Sequence, residues 1–209
     1  MPPILTPTRL AEACAQLSAR DPHLRRIQQK LGTPPLWERD PGFPTLVHII
    51  LEQQVSLASA RAAFNKLQAA AGSLTPETFL RFDDAQLKEI GFSRQKAGYC
   101  RGLAQSLRDG EIRLDELASL EDESARAALL KVKGIGPWSA NIYLLLALLR
   151  PDIWPSGDLA LEVAWQKLQH LERRPSSAEL AEIAAQWSPW RAAAARLLWH
   201  YYLSGFPEI

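Results

Sequence analysis

The sequence predicts an all-α protein. Apolar residues recur at spacings of three and four along most of the 209-residue chain, which is the pattern of amphipathic helices. Alternating β-branched runs, which mark strands, are scarce. Hydrophobic residues make up 47% of the chain, enough to bury a core as one domain or as two small lobes.

Helices are predicted in order along the chain from their caps and periodicity. Thr8 caps a helix over residues 8–19, and Gly32 closes a second over 22–31. After a Pro-rich loop around Trp37, a strongly apolar helix over 43–54 is expected in the core. Ser56 caps the helix over 56–71, and Thr75 opens a short one. Further helices are predicted over 83–90, 121–131, 137–149, 158–171, 176–186 and 189–203.

Charge and cysteine content limit the function. With 24 basic and 23 acidic residues, the chain is no polycationic nucleic-acid coat, so any such contact must be local. Two cysteines, Cys14 and Cys100, suit a reducing cytosol and exclude a cysteine-ligated iron-sulfur cluster. The N-terminus has no signal-peptide pattern and the longest apolar run is too short to span a membrane. We expect a cytoplasmic monomer, nucleoid-associated in a bacterium.

Residues 129–141 contain two glycines between two predicted helices. Gly134 and Gly136 allow positive φ and a close approach to a ligand, and Pro137 suits the first turn of the next helix. The N–H groups of that helix N-terminus form a seat for a phosphate oxygen. Gly-x-Gly is equally compatible with an ordinary turn between helices. Residues 87–91, which end at Gly91, weakly resemble residues 130–134. This similarity can also arise by chance between short helical turns.

Asp158 follows Pro155-Ser156-Gly157 and precedes an apolar helix. This is the position of an N-cap, which alone contributes about 1 kcal/mol. The same N–H groups stabilise a charged carboxylate, and a fixed anion suits cleavage through a sugar oxocarbenium cation. The sequence leaves both roles open.

Together these motifs resemble the helix-hairpin-helix DNA glycosylase superfamily, and within it the 3-methyladenine DNA glycosylase II, or alkylpurine, branch. The likeness runs from about Pro41 to Gly205. Its best-matching pieces are residues 51–56, the hairpin, Asp158 and residues 187–191. The resemblance implies two helical lobes with a cleft, a middle lobe of 43–149 and a terminal lobe of 1–42 plus 150–209. It also implies that the N-terminal β domain of many alkylpurine enzymes is lacking here.

The resemblance implies a base-excision repair enzyme that flips an alkylated purine out of double-stranded DNA and hydrolyses its N-glycosidic bond. Asp158 would be the catalytic carboxylate. An N3- or N7-alkylated purine is already cationic, so no second carboxyl group is needed to protonate it. Trp138 occupies the position of a Schiff-base Lys in the strand-nicking relatives. The enzyme would therefore be monofunctional, without abasic-site lyase activity.

Further site residues are implied by the same match. The base pocket would contain Trp138 and Trp199, whose indoles attract a cationic purine, with Ile142 where relatives place a Tyr, and Tyr143 beside it. Gln54 would fill the gap left by the flipped nucleotide. The hairpin glycines Gly134 and Gly136 would bind the DNA backbone, supported by Lys131, Lys133, Arg94 and Lys96. The carbonyls of Leu130, Val132 and Ile135 would hold a structural Na⁺ or K⁺.

Each of these residues also has an ordinary interpretation. The tryptophans are typical core residues, Gln54 is a surface helix end, and the charged side chains are a solvated face. Two other functions therefore stay open, a non-catalytic helix-hairpin-helix DNA-binding module and a helical scaffold that never meets DNA. The lesion range is not fixed by the sequence.

Overall fold

The computed structural model describes residues 2–208, and within this range it is helical without a strand. A single 3₁₀ turn, Glu116–Ser119, accompanies the α-helices. The α-helices are α1 Pro7–Arg20, α2 Pro22–Leu31, α3 Phe43–Glu52, α4 Leu57–Ala71, α5 Pro76–Phe79, α6 Asp84–Ile90, α7 Arg94–Arg108, α8 Asp122–Leu130, α9 Pro137–Leu146, α10 Leu159–Leu168, α11 Ser177–Ala185 and α12 Arg191–Leu203. In the described range, none of these helices has the length and apolar character to span a membrane.

The chain folds into two compact units. Unit 1 is Met1–Pro2 with Arg39–Tyr143, and unit 2 is Pro3–Glu38 with Leu144–Ile209. The sequence analysis instead predicts the boundaries between the two lobes at 42/43 and 149/150. The end of α9 is in unit 2 because the fully buried Arg196 of α12 donates to the carbonyls of Leu145 and Leu36, both at 2.9 Å.

Unit 1 is built around the apolar helix α3, as the sequence predicts. Its residues Leu46, Val47, Ile49 and Ile50 are inaccessible to solvent. Phe79 is also fully buried and packs edge-on against Phe43, with ring centroids 5.8 Å apart. Helix α7 packs on both α3 and α5, so its first turn is placed beside the end of α3.

Unit 2 has an aromatic core centred on Trp187. This indole is fully buried, contacts Trp154 and Trp165, and donates from Nε1 to the Oδ2 atom of Asp21 at 2.7 Å. Asp21 is also the N-cap of α2. The 187–191 motif is thus part of the framework that holds α12, since Arg191 binds Asp152 at 2.8 Å.

Most predicted caps are confirmed, and the deviations have local causes. Ser56 and Thr75 cap α4 and α5, whereas α1 is capped by Thr6 and not by Thr8. Helix α3 ends at Glu52, earlier than predicted, and Gln54 has a left-handed φ of 56°. Helix α9 ends before Leu149, whose φ of 53° precedes Arg150-Pro151, where proline disfavours helix.

Candidate DNA-binding hairpin and active site

The hairpin of unit 1 joins α8 to α9 through residues 131–136. Gly134 has a φ of 93°, and a Cβ on it would lie 2.3 Å from Cγ of Tyr99. The fold therefore requires glycine at this position. Gly136 is different, because it is exposed, has no positive φ, and has room for a Cβ. Nothing inside the protein explains why position 136 is glycine.

The predicted backbone-binding cations fall into two groups. Lys131, Lys133 and Arg94 are exposed, so their charges are available to a ligand. Lys96 differs from these three, because its side chain is half-buried and already bound within the protein; its contact with the DNA backbone stays a prediction. Its ammonium donates to the carbonyls of Leu51 at 2.7 Å and Gln53 at 2.8 Å, because α7 packs against α3 and brings the side chain to the open carbonyls at the end of that helix.

The carbonyls predicted to hold a monovalent cation are spread from the last residue of α8 to Ile135, near the end of the hairpin. Leu130 is the last residue of α8, where carbonyls lie beyond the helix's own donors. The Val132 carbonyl accepts the Ile135 N–H at 3.0 Å. The second lone pair of that carbonyl oxygen can still bind a cation. Three neutral oxygens of this kind fit an alkali cation better than a transition metal.

Gln54 lies in a turn directly after α3. Its side chain is exposed, and two exposed apolar residues, Val55 at 45% and Leu57 at 57%, follow it. Its neighbour Gln53 is directed inward, since Nε2 of Gln53 donates to the Gly134 carbonyl and to Oγ of Ser139, both at 2.9 Å. The turn therefore presents Gln54 to solvent while Gln53 is bound to the hairpin.

Asp158 in unit 2 is the N-cap of α10, as its sequence context predicts. Its Oδ1 atom accepts the Leu161 N–H at 3.2 Å and the indole N–H of Trp199 at 3.1 Å. The residue is 9% exposed. The cap and the indole together fix the carboxylate in one orientation.

Trp199, a predicted pocket residue, packs with Trp37 and His200, two residues that the sequence analysis did not assign to the site. The ring of Trp37 meets Trp199 edge-to-face at 6.4 Å and His200 at 6.3 Å. Trp37 is half-buried and has a φ of 49°, a strained backbone for a bulky residue. In the sequence, Trp37 is a single Trp inside a Pro-rich loop. Because the loop has no helical periodicity, the sequence does not indicate which residues this Trp contacts.

The remaining predicted pocket residues belong to α9. Trp138 is half-buried near its start, whereas Ile142 is 3% exposed and Tyr143 is inaccessible. The Tyr143 hydroxyl accepts the Gly42 N–H at 2.9 Å, and burial raises the pKa of Tyr143 to about 12. The burial of Ile142 and Tyr143 does not support their predicted place in a base pocket.

The chain is similar in sequence to known glycosylases and in fold to solved structures. A DNA-3-methyladenine glycosylase 1 from Schizosaccharomyces pombe is 27% identical over 199 residues, which cover 92% of this chain and 87% of the relative. A DNA-3-methyladenine glycosylase from Bacillus subtilis is 27% identical over 202 residues, covering 88% of this chain. The chain spans 63% and 65% of the length of two Bacillus subtilis relatives.

One solved structure matches nearly the whole chain. It is the Schizosaccharomyces pombe 3-methyladenine DNA glycosylase Mag1 in complex with abasic DNA, with a TM-score of 0.88 and 26% identity over 95% of this chain and 100% of that one. The family model of the HhH-GPD superfamily base excision DNA repair protein matches residues 47–189, more than half of the chain. The chain therefore belongs to the HhH-GPD superfamily of base excision DNA repair proteins.

Proposed function

We propose that this chain is a monofunctional DNA glycosylase that hydrolyses the N-glycosidic bond of alkylated purines such as 3-methyladenine and 7-methylguanine. The observation that carries the proposal is the pair formed by Asp158 and Trp199. A nearly buried carboxylate is held at a helix N-terminus by an indole N–H at 3.1 Å. Such an anion stabilises an oxocarbenium ion or aligns a water molecule for attack.

Alkylated purines suit this arrangement because they are cationic. Their departure needs no general acid, so a single carboxylate is sufficient. The indoles of Trp199 and Trp37 attract a cationic base more than a neutral one, by about 1 to 2 kcal/mol when water is excluded. Burial lowers the pKa of His200 below its ordinary value, so at neutral pH this neighbour adds no positive charge that would repel the base.

Unit 1 supplies DNA binding in this proposal. The N–H groups of the hairpin at Gly134 and Gly136 hold a phosphate. The exposed cations add charge: Lys131 and Lys133 from the hairpin itself, and Arg94 from α7, the helix whose Tyr99 packs on Gly134. Gln54 fills the gap left by the flipped nucleotide. The carbonyls of Leu130, Val132 and Ile135 would hold Na⁺ or K⁺, which would bind a phosphate oxygen electrostatically.

Hydrolysis without strand nicking follows from Trp138. An indole cannot form a Schiff base with the sugar, so the product is a free base and an intact abasic strand. The test uses a duplex that contains 7-methylguanine, with the released base identified by mass and the strand analysed before and after alkali. Free base with no borohydride-trapped covalent complex is expected. A trapped complex contradicts the monofunctional part, and no base release from methylated DNA contradicts the enzymatic function.

A further inference from the structure

The turn that carries Gln54 has a backbone that needs support. Helix α3 ends at Glu52, and Gln54 then takes a φ of 56°. A non-glycine residue in this region is unfavourable by about 1 kcal/mol or more and persists where surrounding contacts hold it. Two side chains provide such contacts, one from α7 and one from the turn itself.

The first is Lys96, on the first turn of α7. Its Nζ atom donates to the Leu51 and Gln53 carbonyls at 2.7 and 2.8 Å. A cation at the C-terminal end of a helix also interacts favourably with the helix dipole. Desolvation lowers the pKa of Lys96, as expected for an ammonium group that is partly removed from water.

The second is the side chain of Gln53. Its Nε2 atom donates to the Gly134 carbonyl in the hairpin and to the Ser139 hydroxyl in the first turn of α9. Gly134 is itself packed so closely on Tyr99 that no Cβ fits between them. Tyr99 is three residues after Lys96 on α7. One face of α7 therefore contacts the Gln54 turn through Lys96 and the hairpin through Tyr99.

We infer that Gln53 and Lys96 are positioning residues that join the Gln54 turn to the hairpin, so that gripping the DNA backbone and filling the gap in the base stack occur together. Neither side chain needs to touch DNA for this. The inference rests on the proposed function, because it assigns Gln54 the role of filling that gap. It predicts that the two positions act through Gln54 and not independently of it.

A double-mutant cycle tests this dependence. The variants are Gln53→Met, which keeps the length of the side chain but removes both donors, Gln54→Ala, and the two combined. The readout is the ratio of the Kd for intact duplex to the Kd for a duplex with a tetrahydrofuran abasic analogue. Hairpin contacts contribute to both affinities, so the ratio isolates the filling of the gap. Gln68→Met on the exposed face of α4 is the matched control.

We expect Gln54→Ala and Gln53→Met each to lower the ratio about tenfold. The combined variant should match Gln54→Ala within about twofold, and Gln68→Met should match the wild type. Multiplicative losses in the combined variant, or an unchanged ratio in Gln53→Met or Gln54→Ala, would overturn the inference. Because the readout is binding, an absence of base release would contradict the proposed function while leaving this result interpretable.

A second cycle protects the test against misfolding of the Gln53 variant. Lys96→Met should lower the same ratio in the wild type but not in the Gln54→Ala background, whereas Lys96→Arg, which keeps donors to the carbonyls, should recover most of the loss. Lys66→Met, an exposed lysine of α4, is the control. Folding of each variant is checked by circular dichroism. Equal losses from Lys96→Met in both backgrounds would show a general structural role and contradict the inference.

Discussion

The indole N–H of Trp199 donates a hydrogen bond to Oδ1 of Asp158 over 3.1 Å. The proposed catalytic carboxylate and the proposed base-stacking residue are therefore directly linked within unit 2. Rotation of the carboxylate would break this bond as well as the cap on Leu161. Trp199 would thus provide both an aromatic surface for the base and a donor that orients the carboxylate.

The orienting role can be separated from the aromatic one with Trp199→Phe. The variant keeps a ring but removes the donor, and a hydrogen bond to a charged group is worth about 1.5 to 3 kcal/mol. Single-turnover excision of 7-methylguanine should slow by about tenfold or more, with little change in affinity for abasic DNA. Trp190→Phe, which removes an indole N–H bonded to Gln16 at 2.8 Å, should leave the rate unchanged. Equal rates for wild type and Trp199→Phe would contradict an orienting role.

The two hairpin glycines should respond differently to alanine. Gly134→Ala places a methyl group against Tyr99 and a side chain at positive φ, so the free energy of unfolding should fall by about 2 kcal/mol or more. Gly136→Ala has room inside the protein and should keep its thermal midpoint within a few degrees. Its affinity for duplex DNA should nevertheless drop several-fold, because the methyl group obstructs the phosphate. Unchanged DNA affinity in a folded Gly136→Ala would contradict phosphate binding there.

Trp37 should contribute to the preference for cationic bases. Trp37→Leu keeps an apolar side chain but removes the ring that meets Trp199. The ratio of excision rates for 7-methylguanine and for the neutral base hypoxanthine should fall by about fivefold, since a cation–π contact is worth about 1 kcal/mol. An unchanged ratio would mean that Trp37 has only a packing role. His170→Leu, at an exposed position after α10 in the same unit, serves as the control for a general loss of stability.

Both cysteines should be inert in the native protein. Cys14 and Cys100 are inaccessible to solvent, and burial raises the pKa of Cys14 to about 12 and that of Cys100 still further above its ordinary value. At pH 8 both are protonated thiols, so Ellman's reagent should report no reactive thiol until guanidinium unfolds the chain and two appear. Rapid reaction of a native thiol would show that one of the two cores opens readily.

The parts of the structure that follow from local chemistry were predictable from the sequence. Ser56, Thr75 and Asp158 satisfy N–H groups within three residues of themselves, and Gly134 is set by the turn it forms. The contacts that organise the candidate site were not predictable. Lys96 meets carbonyls 45 and 43 residues away, and Gln53 meets the hairpin 81 residues away. Such pairings depend on helix packing that no local pattern encodes.

Trp37 and Lys96 each have a contact that local interpretation of the sequence does not show. Trp37 has an aromatic partner 162 positions later in the chain, so its loop context said nothing about its neighbour. Lys96 carries a charge that suggested a phosphate ligand, but packing of α7 on α3 placed that charge on carbonyl groups. Composition indicates that a cation is present, whereas packing decides what it binds.

The catalytic role of Asp158 is tested most directly by single-turnover base release in the variant Asp158→Asn. The amide keeps the size of the side chain and an oxygen for the α10 cap but removes the negative charge. Release of 7-methylguanine from a methylated duplex should slow by at least about a thousandfold, while the Kd for an abasic-analogue duplex should stay within about threefold of the wild type. Base release by Asp158→Asn at a rate near that of the wild type would contradict the claim that this single carboxylate performs the cleavage.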